Sequence, residues 1–208
     1  MLAIIQARSN SKRFKNKVLY KLLDKTLIEY VVDNVKKSKY IKKIFVATSK
    51  NKIDKKLSSY LKFKKINVFN GDLNDVALRL IELAIKKKAS HFVRINGDSP
   101  LIDSKLIDKA INIYKKNKSF DLITNVFPRT FPAGQSVEII KTNTLKSLHG
   151  YMSKDEKEHV TKYFYKNYKK YKIKNFVCSK NYKFKNIKKM TVDYKSDIRL
   201  IKKILNEN

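Results

Sequence analysis

The chain has 208 residues, 42% of them hydrophobic, which is material for one well-buried domain with a single core. Its formal charge of +31 arises from 49 Lys and Arg against 18 Asp and Glu, and the excess is nearly all Lys spread along the whole length. That is a compositional bias rather than the Arg-rich patch that reads base edges, so no nucleic acid is expected as a partner, whereas nucleoside triphosphates and acidic sugars are drawn to such a field. The lone Cys178 excludes an internal disulfide, and no apolar run reaches membrane-spanning length, so a soluble, cytoplasmic protein without a transmembrane segment is expected.

Apolar segments of strand length alternate with longer segments of helical period. The run Leu2-Ala3-Ile4-Ile5 predicts a first strand, and Thr26 caps a predicted helix whose apolar positions Leu27, Ile28, Val31, Val32 and Val35 follow a 3.6 period. A strand over 44–48, a helix through Ile53, Leu57 and Leu61, a strand over 66–69 and a helix over 72–88 follow. The next pair is a strand over 91–95 and a helix over 103–116. This order predicts an α/β fold: a single Rossmann-like domain spanning 1–208, its mostly parallel central sheet covered by helices on both faces. Beyond Phe120 the alternation loosens. Strands are expected over 121–124 and 136–140, helices over 142–148 and 155–168, a strand over 175–178 and a last helix over 196–205.

Three places carry chemistry. The first strand empties into a loop with five cations, Arg8, Lys12, Arg13, Lys15 and Lys17, interleaved with small polar residues such as Ser11. Two of the six arginines lie here within six residues of each other, and guanidinium suits bidentate phosphate contacts. At the carboxyl end of the first strand of an open α/β sheet, this composition reads as a polyphosphate cradle. The second place is the run from Arg94 to Asp103, again directly after a predicted strand. Gly97 permits an unusual backbone angle and Pro100 stiffens the exit, which holds Asp98 at the sheet edge, where a carboxylate can hold Mg²⁺ against phosphate oxygens. The competing reading is a helix N-terminal turn, with Asp103 as cap and Asp98 merely solvated. The third is Asp193, by itself a turn residue or cap, whose interest lies in pairing with Asp98. Among the histidines, His91 and His149 read as surface or partly buried residues, and His159 is the candidate for a substrate contact.

Together these residues carry a resemblance. The stretch from Ile4 to Leu19 resembles the opening I-I-Q-A-R-x-G-S-T-R-L-P-G-K-V-L of the cytidylyltransferase family, which includes SpsF-like spore-coat polysaccharide proteins and the synthetases of CMP-activated acidic sugars such as sialic acid and Kdo. The segment from Ser11 to Lys17 is similar to S-K-x-I-K-N-K of the sialic-acid synthetases. Further matches are Gly71 with Asp75-Val76 and Arg79, and Arg94 to Asp103 against R-I-T-G-D-C-P-L-I-D. They continue with Asn125, Pro132 with Gly134, Val137-Glu138, Glu158-His159-Val160-Thr161 and Thr191-Val192-Asp193.

The resemblance implies a nucleotidyltransferase domain that moves CMP from CTP to a sugar or sugar acid and releases pyrophosphate, with Mg²⁺ as cofactor, for surface polysaccharide synthesis. It implies that Arg8, Ser11, Arg13 and Lys17 contact the triphosphate, with Arg8, Arg13, Lys17 and Asp98 as the catalytic set and Asp75 and Arg79 on the nucleotide side. It further implies that Asp98 and Asp193 hold the metal, that Asn125, Glu138 and His159 lie toward the sugar, and that the chain forms a homodimer. Two departures stand out. Asn10 and Lys15-Asn16 replace glycine and Pro-Gly in the loop, and Ala133-Gly134-Gln135-Ser136 lacks both acidic residues of the P-D-G-L-D-V-E pattern. A nucleotide-sugar-dependent glycosyltransferase is the rival enzyme, and a basic nucleic-acid-binding protein the rival from another class.

Overall fold

The computed structural model describes residues 1–11 and 13–207, so Lys12 of the cradle lies outside the described residues. Seven strands form one sheet in the order β3-β2-β1-β4-β6-β5-β7. They are β1 (Leu2–Gln6), β2 (Lys43–Ser49), β3 (Val68–Gly71), β4 (His91–Asn96), β5 (Leu122–Thr124), β6 (Glu138–Lys141) and β7 (Ile173–Asn175). Only β6 runs against its neighbours β4 and β5, and every other pairing is parallel. The central strand β1 is flanked by β2 and β4, with Ile4 opposite both Phe45 and Arg94. From β1 the chain steps out to β2 and β3, then returns to place β4 on the other side. The strand order reverses beside β1, and the reversal opens a crevice at the carboxyl ends of β1 and β4.

The helices are α1 (Leu27–Lys36), α2 (Lys55–Phe63), α3 (Val76–Lys86), α4 (Ser104–Lys116), α5 (Thr142–Leu148), α6 (Lys154–Glu158), α7 (Lys162–Lys166) and α8 (Asp197–Asn206). Side chains alternate across β1, so Ala3 and Ile5 face α1, α2, α4 and α8, while Leu2 and Ile4 face α3, α5 and α7. Both faces of the sheet are therefore covered, which is why the central strand β1 is nearly continuously apolar. The single domain and its mostly parallel sheet agree with the expectation from sequence.

Several boundaries move for local reasons. The third strand begins at Val68, because the Ile66 N–H is taken by Leu61 O in the turn that closes α2, with Lys65 at φ 55°. The third helix begins at Val76 rather than near residue 72. Asp72 Oδ1 accepts from the Asn74 and Asp75 N–H groups to make a turn, and Asp75 Oδ1 then caps the helix at Leu78 N, 2.8 Å away. The expected helix over 155–168 is two short helices, α6 and α7, with His159 to Thr161 between them. The expected strand over 175–178 is β7, two residues earlier, paired Leu122 to Ile173.

Candidate active site

A cleft of about 750 Å³ opens where the strand order reverses, lined by the loop after β1, the start of α3, the loop after β4, the end of α6 and Asp193. Its size is that of an ordinary nucleotide or cofactor pocket. Arg8, Ser11, Arg13, Lys17, Arg79, Asp98, His159 and Asp193 all line it, as do Arg94, Asn96 and Glu158.

The loop after β1 is held open by a buried carboxylate. Asp54, fully buried, accepts from Ser9 N at 2.6 Å and from Ser49 N and Oγ, tying the loop to the end of β2. At the far end Asn16 adopts φ 56°, a left-handed angle that asparagine tolerates, so it serves where the family pattern has glycine. A short 3₁₀ turn over Lys17–Leu19 follows and carries Lys17 inward. Its ammonium donates to Asp98 Oδ2 at 2.9 Å, to Val192 O at 2.6 Å and to Asp193 Oδ1 at 3.4 Å. Arg13 donates to the same Asp193 Oδ1 at 2.9 Å. Arg8 pairs with Glu158. The two carboxylates expected to act together thus meet on one ammonium, although 95 residues separate them in the chain.

Each carboxylate has a distinct support. Gly97 does not use a positive φ, contrary to the reading from sequence; the need there is space, since a Cβ would lie 2.8 Å from Ala7 Cβ and from Gln6 O. The close approach of β1 and β4 is what fixes Asp98. Asp103, separately, is the N-cap of α4 through Lys105 N at 2.9 Å, so capping and cleft-facing roles fall to different aspartates. Asp193 is carried by a segment whose Met190 N–H and Val192 N–H bond Ala133 O and Asp98 O. Gly134, at φ 98°, packs so tightly on Met190 that a Cβ would come within 2.7 Å of its backbone. Burial disfavours the charge on Asp193, but Lys17, Lys189 and Arg13 outweigh it and hold the carboxyl below its ordinary value.

Arg79 is 1% exposed yet makes no ion pair within 4 Å among the described residues. Nη1 donates to Asp72 O at 3.1 Å and Nε has no partner. Burial pushes the guanidinium down to about 10, which leaves it charged at neutral pH. Gly71 makes its stem possible, because a Cβ there would meet Arg79 Cγ at 2.7 Å. A buried, charged and under-partnered guanidinium facing a cleft is a feature that an anionic or acceptor-rich ligand would satisfy.

The remaining expected residues divide. His159 lines the cleft with its side chain 63% exposed. Glu138 is buried behind it: it pairs with Arg94 Nη1 and accepts from Thr161 Oγ1 at 2.9 Å and Tyr165 OH at 2.5 Å. Burial, then the charge of Glu138, pushes the Tyr165 phenol up, so it remains a donor. Arg94 also donates Nε to Gln6 Oε1 at 2.8 Å, and it is Arg94 that reaches the cleft. Glu138 therefore orients Arg94 instead of lining the site. Asn125 does not reach the cleft. It is fully buried, with its amide spent on Gln135 O at 2.7 Å and Val137 N at 2.9 Å, which staples the loop between β5 and β6. Asp75 caps α3 and pairs with His149 and Lys157, while its neighbours Asn74 and Val76 line the cleft. Sequence reasoning missed Arg94 and Glu158 as cleft residues and Asp54 as the loop anchor. The repeated matching of Arg94 and Glu158 to family motifs was the available signal, whereas nothing local marks Asp54.

A cationic loop facing two carboxylates at the switch point of a parallel sheet defines a nucleotide-handling α/β protein. A sequence model of the cytidylyltransferase family matches residues 2–208, and the chain belongs to that family and is a nucleotidyltransferase. The spore coat polysaccharide biosynthesis protein SpsF of Bacillus subtilis is 27% identical over 209 residues, covering 97% of this chain and 85% of its own. The 3-deoxy-manno-octulosonate cytidylyltransferase of Bdellovibrio bacteriovorus is 32% identical over 142 residues, 68% of this chain and 56% of its own. The structure of a cytidylyltransferase from Leptospira borgpetersenii superposes with a TM-score of 0.91 at 29% identity, over 100% of this chain and 87% of the other. No helix among the described residues is long and apolar enough to cross a membrane.

Proposed function

We propose that the protein transfers CMP from CTP to a hydroxyl of a sugar or sugar acid and releases pyrophosphate, with Mg²⁺ as cofactor, in the synthesis of a surface glycan. The observation that carries this reading is the meeting of Lys17, Asp98 and Asp193 in one cleft beside Arg8 and Arg13. Two carboxylates at the cleft suit Mg²⁺, which ordinarily takes one or two carboxylates and completes its shell with phosphate oxygens and water, once the cations that now pair with them move to the phosphates. Asp98 and Asp193 would hold it, and the ion would polarise the phosphoryl oxygens and offset their charge. Arg8, Ser11, Arg13 and Lys17 bind and orient the triphosphate, and the cations stabilise the charge that builds on pyrophosphate as the α–β phosphoanhydride bond breaks. Arg79, whose Nε has no partner and which makes no ion pair within 4 Å among the described residues, faces the nucleotide. The acceptor enters beside Arg94 and His159, with Glu138 holding Arg94 in place. The sugar acid in the name of the Bdellovibrio relative, a 3-deoxy-manno-octulosonate cytidylyltransferase, supports the choice of acceptor class.

The test is pyrophosphate release from each of the four ribonucleoside triphosphates with Mg²⁺ and a panel of sugar acids and sugar phosphates. Release that requires both CTP and one sugar is the expected result. Release with no dependence on any sugar, or only with a triphosphate other than CTP, overturns the reading.

A further inference from the structure

We infer that Lys17, assisted by Arg13, is a resident counter-ion for the Asp98–Asp193 pair, so that divalent cation and nucleoside triphosphate bind as a coupled unit rather than independently. The inference rests on the metal-site reading above. All three donors of the Lys17 ammonium are spent, on Asp98 Oδ2, Val192 O and Asp193 Oδ1. The side chain is 10% exposed, so these contacts form in a site with little water to replace them. Arg13 occupies Asp193 from the solvent side, and Arg8 is likewise engaged by Glu158.

Arg8, Arg13 and Lys17, the described loop cations that line the cleft, are thus already matched to carboxylates, and both carboxylates expected to receive a metal are already matched to cations. A divalent ion arriving alone must displace an ammonium that has no other anion to turn to. A triphosphate arriving alone must draw Lys17 away from two carboxylates and leave their charges uncompensated at the mouth of a small cleft. When both arrive, the exchange is complete: the carboxylates pass to the metal and Lys17 passes to the phosphates, its flexible stem swinging from a turn that stays fixed by Asn16. Lys189, 3.3 Å from Asp193 and 2.8 Å from Asp197, remains behind as a structural counter-ion. Linkage then requires that each ligand tighten the other by the same factor.

The probes are Mn²⁺ alone, followed by the paramagnetic signal of the free ion, and CTP, titrated in EDTA and in Mn²⁺. They are applied to the wild type and to Lys17→Met, Arg13→Met, Asp98→Asn and Asp193→Asn, with folding checked by circular dichroism. Removing the counter-ion should tighten Mn²⁺ binding in the absence of nucleotide, by at least about tenfold in Lys17→Met and less in Arg13→Met, within the usual range of site coupling. The gain in CTP affinity on adding Mn²⁺ should shrink in the same variants. Arg13, with its side chain 55% exposed, carries the test if Lys17→Met fails to fold. Mn²⁺ binding no tighter than wild type in both cation variants, with Asp98→Asn weakened, overturns the counter-ion role and leaves the metal site standing. Wild-type Mn²⁺ binding in both aspartate variants overturns the metal site and the inference with it.

Discussion

At the scale of single residues, the structure separates side chains that meet the cleft from those that build it. Asn125 matches the family pattern yet bonds two backbone groups in the interior. Asn125→Ala should cost about 1–3 kcal/mol of stability by stranding those groups, with KM for the sugar unchanged in the folded fraction. Thermal melts beside steady-state kinetics check this, and a raised sugar KM at unaltered stability would return Asn125 to the site. Gly97 offers the converse case. Gly97→Ala pushes a methyl to within 2.8 Å of Ala7 Cβ and Gln6 O, so the expected loss is about 1–3 kcal/mol together with reduced turnover, as Asp98 moves with its loop. The presence of glycine was legible in the sequence, but its reason was not, because close approach of two strands 90 residues apart in the chain depends on the sheet register and leaves no local mark.

At the scale of elements, apolar runs and helical period located the elements up to α4, while beyond Phe120 one expected helix is two and the last strand lies two residues earlier; short-range side-chain bonds set many of the ends. The first helix is an example in which both were legible: Thr26 begins it, and Glu29 accepts from Thr26 N and Oγ1, each at 2.8 Å. Tyr60 of α2 donates to the same carboxylate at 2.7 Å, a contact across the layer that no local pattern reveals. Burial works against the charge on Glu29, yet these donors hold its carboxyl down at about 2. A lowered folded value means that the associated stability is present above the unfolded value, near 4.5, and is lost as the pH falls toward about 2. In Glu29→Gln that part of the acid dependence should vanish, removing on the order of 2–3 kcal/mol of pH-dependent stability between those limits. Denaturant unfolding of the two proteins across this pH range measures the difference; parallel curves would refute the assignment. The division of the expected helix near Val160 was hidden for the same reason as the Tyr60 contact: Thr161 turns to reach Glu138 in a distant strand.

At the scale of the whole molecule, the chain folds an unusually cationic composition into an ordinary nucleotidyltransferase domain; the sequence pattern put the cationic loop at the carboxyl end of the first strand, and the strand order that opens a cleft there came from the structure. The charge of +31 lies around a cleft whose proposed substrates are anions. Raising NaCl from about 0.05 to about 0.5 M should therefore lower kcat/KM for the nucleotide several-fold, mostly through KM, while kcat changes little. A salt-independent KM would confine the relevant charges to the paired cations of the cleft. The central claim is that the α-phosphate, with its nucleoside, moves to the acceptor sugar. It is tested most directly by following CTP labelled at the α-phosphorus and, in parallel, at the γ-phosphorus, with Mg²⁺ and the sugar found active in the panel. The account predicts the α-label in a nucleotide-linked sugar and the γ-label in pyrophosphate, in equal amounts. An α-label left in CDP or CMP, or a γ-label transferred to the sugar, would contradict it.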